Sequence, residues 1–200
     1  KGIIDEIFEK DIKRRVKIKD VQSFELVRNY IINNFGATTS INSLHEALLK
    51  NGMAISRATV TRYIKTLVDA KILYECKRFD MKSKKTLSGE QKYYVADLSF
   101  YYAMNTDNRI NYGPTLENIV YLYARSLDYA VSVGRIGKLE CDFILRDVNM
   151  DYSYVREYRP LESIRDNYKK YVMTTDYILQ KRNGILHVNL MDFIGGGKRF

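Results

Sequence analysis

The feature that most limits what this chain can fold into is a change of hydrophobic period at residues 70–72. Before it, apolar residues recur every three or four positions; after it, they alternate or run in short blocks. Asp20 is placed to cap a helix whose buried stripe is Val21, Phe24, Val27 and Ile31 and which Gly36 ends. Ser43 and Glu46 have the spacing of a capping box ahead of Leu44, Leu48 and Leu49, and Asn51-Gly52 stops that helix. Ser56 caps a third, running from Arg57 to Ala70. Upstream, Ile3, Ile4, Ile7, Phe8 and Ile12 predict an amphipathic linker helix within residues 1–19, too short to stand without a packing partner.

Beyond the change, Ile72 to Cys76 and Tyr93 to Val95 read as strands. The polar, basic stretch Arg78 to Lys92 lies between them, with Gly89 available for the turn. Helices followed by a basic hairpin is the order of a winged helix-turn-helix, assigned to residues 20–110. After a turn-prone boundary within residues 104–114 the pattern restarts. Thr115 to Ser126 is an apolar helix. Tyr129 to Val133 and Cys141 to Leu145 are strands joined by Gly134-Arg135-Ile136-Gly137, and Tyr152 to Val155 is a third. A helix over Leu161 to Tyr168 follows, then strands Tyr171 to Thr174 and Ile185 to Asn189. Residues 111–200 therefore predict a helix on a small mixed sheet, and the whole chain an α+β protein.

Charge points to a partner. Lysine and arginine total 33 against 24 acids, a net of +9. Between Ser56 and Lys92, ten basic residues face four acidic ones, so that segment carries +6 of the excess. A concentrated basic patch suits a polyanion such as nucleic acid. On a helical wheel Val60, Tyr63, Ile64 and Leu67 fall on one side of the Ser56-capped helix, and Ala58, Thr61, Arg62 and Lys65 on the other. Arg57, Thr61, Arg62 and Lys65 are the expected contacts to duplex DNA, with Lys82, Lys84 and Lys85 of the hairpin tracking the adjacent backbone. The competing reading is a protein-interaction scaffold with solvated cations.

Catalytic patterns are sparse. Gly195-Gly196-Gly197-Lys198 is followed by Arg199 and by no helix, so it is not a P-loop and reads as a flexible tail. His45 reads as a surface helix residue and His187 as a strand residue; Cys76 and Cys141 have no zinc-spaced companions. One carboxylate group remains, Glu117 on a helix with Glu140 and Asp142 alternating on a strand after the glycine turn; hard oxygens from a helix and a strand, those of Glu117 and Asp142, are of the type that holds Mg²⁺. No run approaches the roughly eighteen apolar residues of a membrane span. With no secretory signal and two cysteines, the default compartment is the cytoplasm. The chain opens on Lys1, which reads as part of a longer protein.

Several stretches, in order, resemble the C-terminal region of prokaryotic AAA+ ATPases that carry a winged helix followed by a PD-(D/E)xK, restriction-endonuclease-like domain. They include Ser40-Ile41-Asn42-Ser43-Leu44, Thr59-Val60-Thr61-Arg62-Tyr63-Ile64, Lys92-Tyr93-Tyr94-Val95-Ala96-Asp97-Leu98 and Leu116-Glu117-Asn118-Ile119-Val120-Tyr121-Leu122. The most specific is Val133-Gly134-Arg135-Ile136-Gly137-Lys138-Leu139-Glu140-Cys141-Asp142-Phe143, with Arg159-Pro160-Leu161 and Asn189-Leu190-Met191-Asp192-Phe193 after it. The resemblance implies a nucleic-acid-binding region attached to an N-terminal ATPase domain that would hold the ATP. Glu117 and Asp142 match the helix and strand acids of the nuclease motif. Where that motif carries a further acid and a lysine, Val155 passes straight into Arg156-Glu157-Tyr158-Arg159. The nuclease-like half is thus expected to be degenerate, a Mg²⁺-dependent endonuclease using Glu117 and Asp142 being the alternative. The expected partners are duplex DNA and the ATPase domain, without a membrane and with the oligomeric state open.

Overall fold

The structure, a computed structural model, describes residues 6, 12, 18, 20–81, 83–105, 111–136 and 139–200. The protein is α+β: the described residues form seven helices and a mixed sheet of nine strands. The helices are α1 (Val21–Asn33), α2 (Ile41–Lys50), α3 (Arg57–Asp69), α4 (Ser99–Met104), α5 (Tyr112–Ser126), α6 (Tyr158–Glu162) and α7 (Leu190–Gly195). The strands are β1 (Thr38–Ser40), β2 (Leu73–Asp80), β3 (Lys85–Val95), β4 (Ala130–Ile136), β5 (Leu139–Arg146), β6 (Tyr152–Val155), β7 (Lys169–Thr174), β8 (Lys181–Arg182) and β9 (Ile185–Asn189). The sheet is larger than the small one expected. Strands as short as β1 and β8 have no room for an alternating pattern, and the outer halves of β2 and β3 are too polar to read as strand. The linker-helix assignment falls almost wholly outside the described residues.

Two compact units divide the chain: Lys1–Glu75 with Gly89–Asn118, and Cys76–Ser88 with Ile119–Phe200. In the first, the Asp20 carboxylate accepts the Ser23 amide at 3.0 Å and starts α1. Gly36, at φ +75, takes the chain out of that helix, and its amide bonds the Tyr93 carbonyl at 2.9 Å. The cap of α2 is Ser40, not Ser43: its hydroxyl accepts the Ser43 amide, so Ser43 already lies inside the helix. Phe24, Val27, Ile31, Leu44, Val60, Ile64, Leu67, Leu73 and Tyr93 form the core. β1 runs antiparallel to β3, with Thr38 opposite Lys92. Where β1 stops short, the buried Asn118 of α5 replaces it. Its side chain accepts the Val95 amide at 2.9 Å and donates to the Val95 carbonyl at 3.0 Å.

In the second unit β2 lies parallel to β4, β4–β5–β6 are antiparallel, and β6, β7 and β9 run parallel, with β8 on the edge. Ser132 faces Ile144 but Gly134 faces Cys141, a β-bulge that turns Cys141 and Ile144 to the same side of β5. Both join Tyr154, Leu161, Val172 and Ile185 in one cluster. Burial pushes the Cys141 thiol up to about 12, so it is inert packing. The helix expected over Leu161 to Tyr168 is α6 instead, earlier and shorter. Pro160 needs no amide partner in a first turn, and Asp166 is taken by the Tyr154 hydroxyl at 2.8 Å and Lys170 at 3.0 Å. Only Arg156 and Glu157 connect β6 to α6, and the Arg156 amide bonds the Tyr171 carbonyl.

The glycine-rich end is not a flexible tail. Gly196 caps α7, Gly197 turns at φ +61, and Phe200 packs among Tyr129, Tyr171 and Phe193 with 5% exposed. Asn189 anchors that helix: its side chain accepts the Met191 and Asp192 amides and donates to the Thr175 and Asp176 carbonyls. Asn189→Ala deletes all four bonds at a buried position and is expected to cost about 2 kcal/mol, read as a lower denaturant midpoint.

Candidate nucleic-acid interface

Helix α3 begins where the Ser56 hydroxyl accepts the Thr59 amide at 3.2 Å and ends beside Lys71, at φ +59. Tyr63 fixes its rotation: the ring meets Phe24 edge-on at 5.3 Å, and the hydroxyl donates to the Asp20 carbonyl at 3.2 Å. Val60, Ile64 and Leu67 are buried beside it, so Arg57, Ala58, Thr61, Arg62 and Lys65 face solvent. The turn between α2 and α3 is pinned by His45, whose Nε2 lies 2.9 Å from the Ile55 carbonyl. His45 is therefore a half-buried brace of the helix pair rather than a surface residue.

The exposed face has a definite chemistry. Thr61 donates to the Arg57 carbonyl at 3.0 Å, leaving its methyl group and oxygen lone pairs outward. The Arg62 guanidinium lies 5.6 Å from the Tyr63 ring. Lys65 pairs with Asp69 at 3.0 Å, both well exposed, a contact worth about 0.3–0.5 kcal/mol that a phosphate can displace. The first turn carries no acid, so nothing of that kind opposes an anion at the helix N-terminus.

The hairpin lysines belong to the second unit. The turn is closed by Asp80, whose carbonyl accepts the Lys84 amide at 2.9 Å and whose carboxylate accepts the Ser83 hydroxyl at 2.7 Å. Gly89 is not in that turn but inside β3, at φ +111. Lys84, in the left-handed region at φ +56, extends its ammonium to 5.5 Å from the Tyr152 ring. Lys85 opens β3 and is exposed. Lys82 lies outside the described residues.

The two acids fall in different units, each with a cation of its own. Glu117 accepts from Lys92 at 2.9 Å and from the Tyr94 hydroxyl, Lys92 being only 6% exposed. Asp142, next to the bulge, is bridged by Arg156. Charge compensation of this kind is not the open, oxygen-rich coordination that Mg²⁺ takes. Among the described residues no group of three or more His, Cys, Asp or Glu is placed to hold a metal ion. Lys92 and Arg156 were missed as partners of these acids. Lys92 sits in a stretch that reads as uniformly basic and solvated, and only its two-residue offset from the buried Tyr94 marked it as inward.

A family model described as a domain of unknown function (DUF8612) matches residues 1–111. An uncharacterized protein of Haemophilus influenzae is 28% identical over 204 residues, covering 96% of this chain and 51% of the relative. The uncharacterized protein MJ1544 of Methanocaldococcus jannaschii is 30% identical over 125 residues, 62% of this chain and 27% of the relative. The chain thus spans about half the length of the first relative and about a quarter of the second. No solved structure matches. Among the described residues no helix is long and apolar enough to cross a membrane.

Proposed function

The chain belongs to the DUF8612 family, and from that premise we propose that it is a nucleic-acid-binding part of a longer, ATP-dependent protein, with α3 as the helix that enters the major groove of duplex DNA. The observation that carries this reading is the split of α3. One side is locked into the core by Tyr63 and Leu67, and the other presents Arg57, Thr61, Arg62 and Lys65 to solvent. A rigid helix with short hydroxyl and long cationic side chains outward is what groove binding requires. The element order α1, β1, α2, α3, β2, β3, with β3 between β1 and β2, supports a winged helix-turn-helix. A separate ATPase domain is supported by the resemblance to AAA+ proteins and by the extra length of the relatives. On this reading residues 111–200 are nuclease-like in descent, with Glu117 and Asp142 spent on salt bridges.

The test is duplex binding measured by fluorescence anisotropy at several salt concentrations. Wild type is expected to bind at low salt and to weaken steeply as salt rises, each phosphate contact contributing about 0.9 to the log–log slope. Arg62→Glu combined with Lys65→Glu should weaken binding about 100-fold and flatten that slope by about two contacts. Absence of binding at low salt, or a double variant that binds like wild type, would sink the reading.

A further inference from the structure

A cavity of about 360 Å³ opens at one end of the second unit's sheet. The strand directions create it. β4, β6 and β7 begin where β5 ends, so residues flanking four neighbouring strands converge there. Tyr129 precedes β4, Asp147 follows β5, Asp151 and Tyr152 lead into β6, and Tyr168 and Lys169 lead into β7. The volume lies toward the small end of the roughly 300–1,000 Å³ of small-molecule sites.

Its lining has three components. Aromatic rings form the walls, with Tyr152 and Tyr168 set edge to face at 5.3 Å. Two carboxylates supply negative charge. Asp147 is held in place by the Asn149 and Asp151 amides, at 2.9 and 2.8 Å on its Oδ1, while its Oδ2 accepts only a long 3.4 Å bond from the Asn149 side chain, which a stronger donor can displace. The third component is the hydroxyl of Ser153. That residue is only 6% exposed and lines the cavity, yet its hydroxyl has no hydrogen-bond partner among the described residues. Rings, carboxylates and a hydroxyl acceptor together select a flat cation with several N–H donors.

We propose that this cavity binds a small organic cation of the guanidinium type, held by Asp147, Asp151 and Ser153 against its tyrosine rings. The site lies within the second unit and does not rest on the DNA reading. Two sources share the chemistry: a free basic amino acid, and an arginine side chain in a peptide. Lys169 at the rim favours the first, because it offers a counter-charge to a free carboxylate.

Calorimetric titration of the intact chain decides the matter, with L-arginine, its neutral isostere L-citrulline and N-acetyl-L-arginine amide as probes. L-arginine is expected to bind at least about tenfold tighter than L-citrulline, the value of one charge-assisted hydrogen bond. Asp151→Asn, at an exposed side chain, should weaken arginine about tenfold and keep the wild-type melting temperature within the scatter of surface variants, and Ser153→Ala should weaken arginine about fivefold. A several-fold preference for free L-arginine over the amide assigns the free amino acid; equal affinity keeps the cation site and assigns the peptide side chain. No heat from any probe at millimolar concentration, equal binding of arginine and citrulline, or arginine binding unchanged in both variants would overturn the proposal.

Discussion

Glu117→Ala should lower the stability of the first unit by about 3–5 kcal/mol, because it strips the carboxylate from a lysine buried in the fold. Lys92 is 6% exposed, and its ammonium lies 2.9 Å from Glu117. The fully buried Tyr94 donates its hydroxyl to the same oxygen. Removing the acid leaves that charge and that hydroxyl without their shared acceptor in a low-dielectric setting. Urea unfolding should show the midpoint falling with the slope unchanged. The double change Lys92→Met with Glu117→Leu should recover most of the loss, since an apolar pair of similar volume replaces a charged one. An alanine variant that unfolds at the wild-type midpoint would mean that Lys92 does not depend on this carboxylate.

Gly134→Ala is the second large effect, expected at about 3 kcal/mol in the second unit. Its backbone is ordinary, so the penalty is one of space. A methyl group there would stand 2.7 Å from the Cys141 Cβ and 2.9 Å from two carbons of Ile144. The Cys141 atom is fixed to the backbone of β5 and cannot swing aside. Accommodating it means parting β4 from β5 at the bulge, next to the Asp142–Arg156 bridge. A melting curve superimposable on wild type would show that the two strands separate at little cost. Cys141→Ala at the same contact is the informative companion, because it opens the side-chain space without relieving the Cβ.

Much of the first unit was legible because its signals are local. Asp20 and Ser56 cap the helices they were expected to cap, and Val60, Tyr63, Ile64 and Leu67 are buried on the face that their spacing assigned to them. Strands of the second unit were legible at their apolar centres, such as Tyr152 to Val155 and Ile185 to Asn189. What failed was set by contacts distant in sequence. Gly89 looked like the hairpin turn, but Asp80 closes that turn three residues after Lys77 and leaves Gly89 inside a strand. The carboxylates looked like a pair until Lys92 and Arg156 claimed one each, and no pattern in a single sequence reports a bond that spans 25 residues. Phe200 looked like a tail because a glycine run says nothing about the aromatic cluster waiting beyond it.

The amide clasp between Asn118 and Val95 also governs where this protein can be cut. The match to the family model ends at residue 111, one position before α5 begins. A polypeptide stopped there would keep every residue of α1, α2 and α3. It would lose Pro114 from above Gly36, Glu117 from Lys92 and Asn118 from the end of β3. Three places would then open to water at once, one holding a buried charge and another a bare strand edge. The edge of the family match and the edge of the first packed unit therefore fall at different residues, and an expression boundary chosen from the first would yield a sticky, half-closed product.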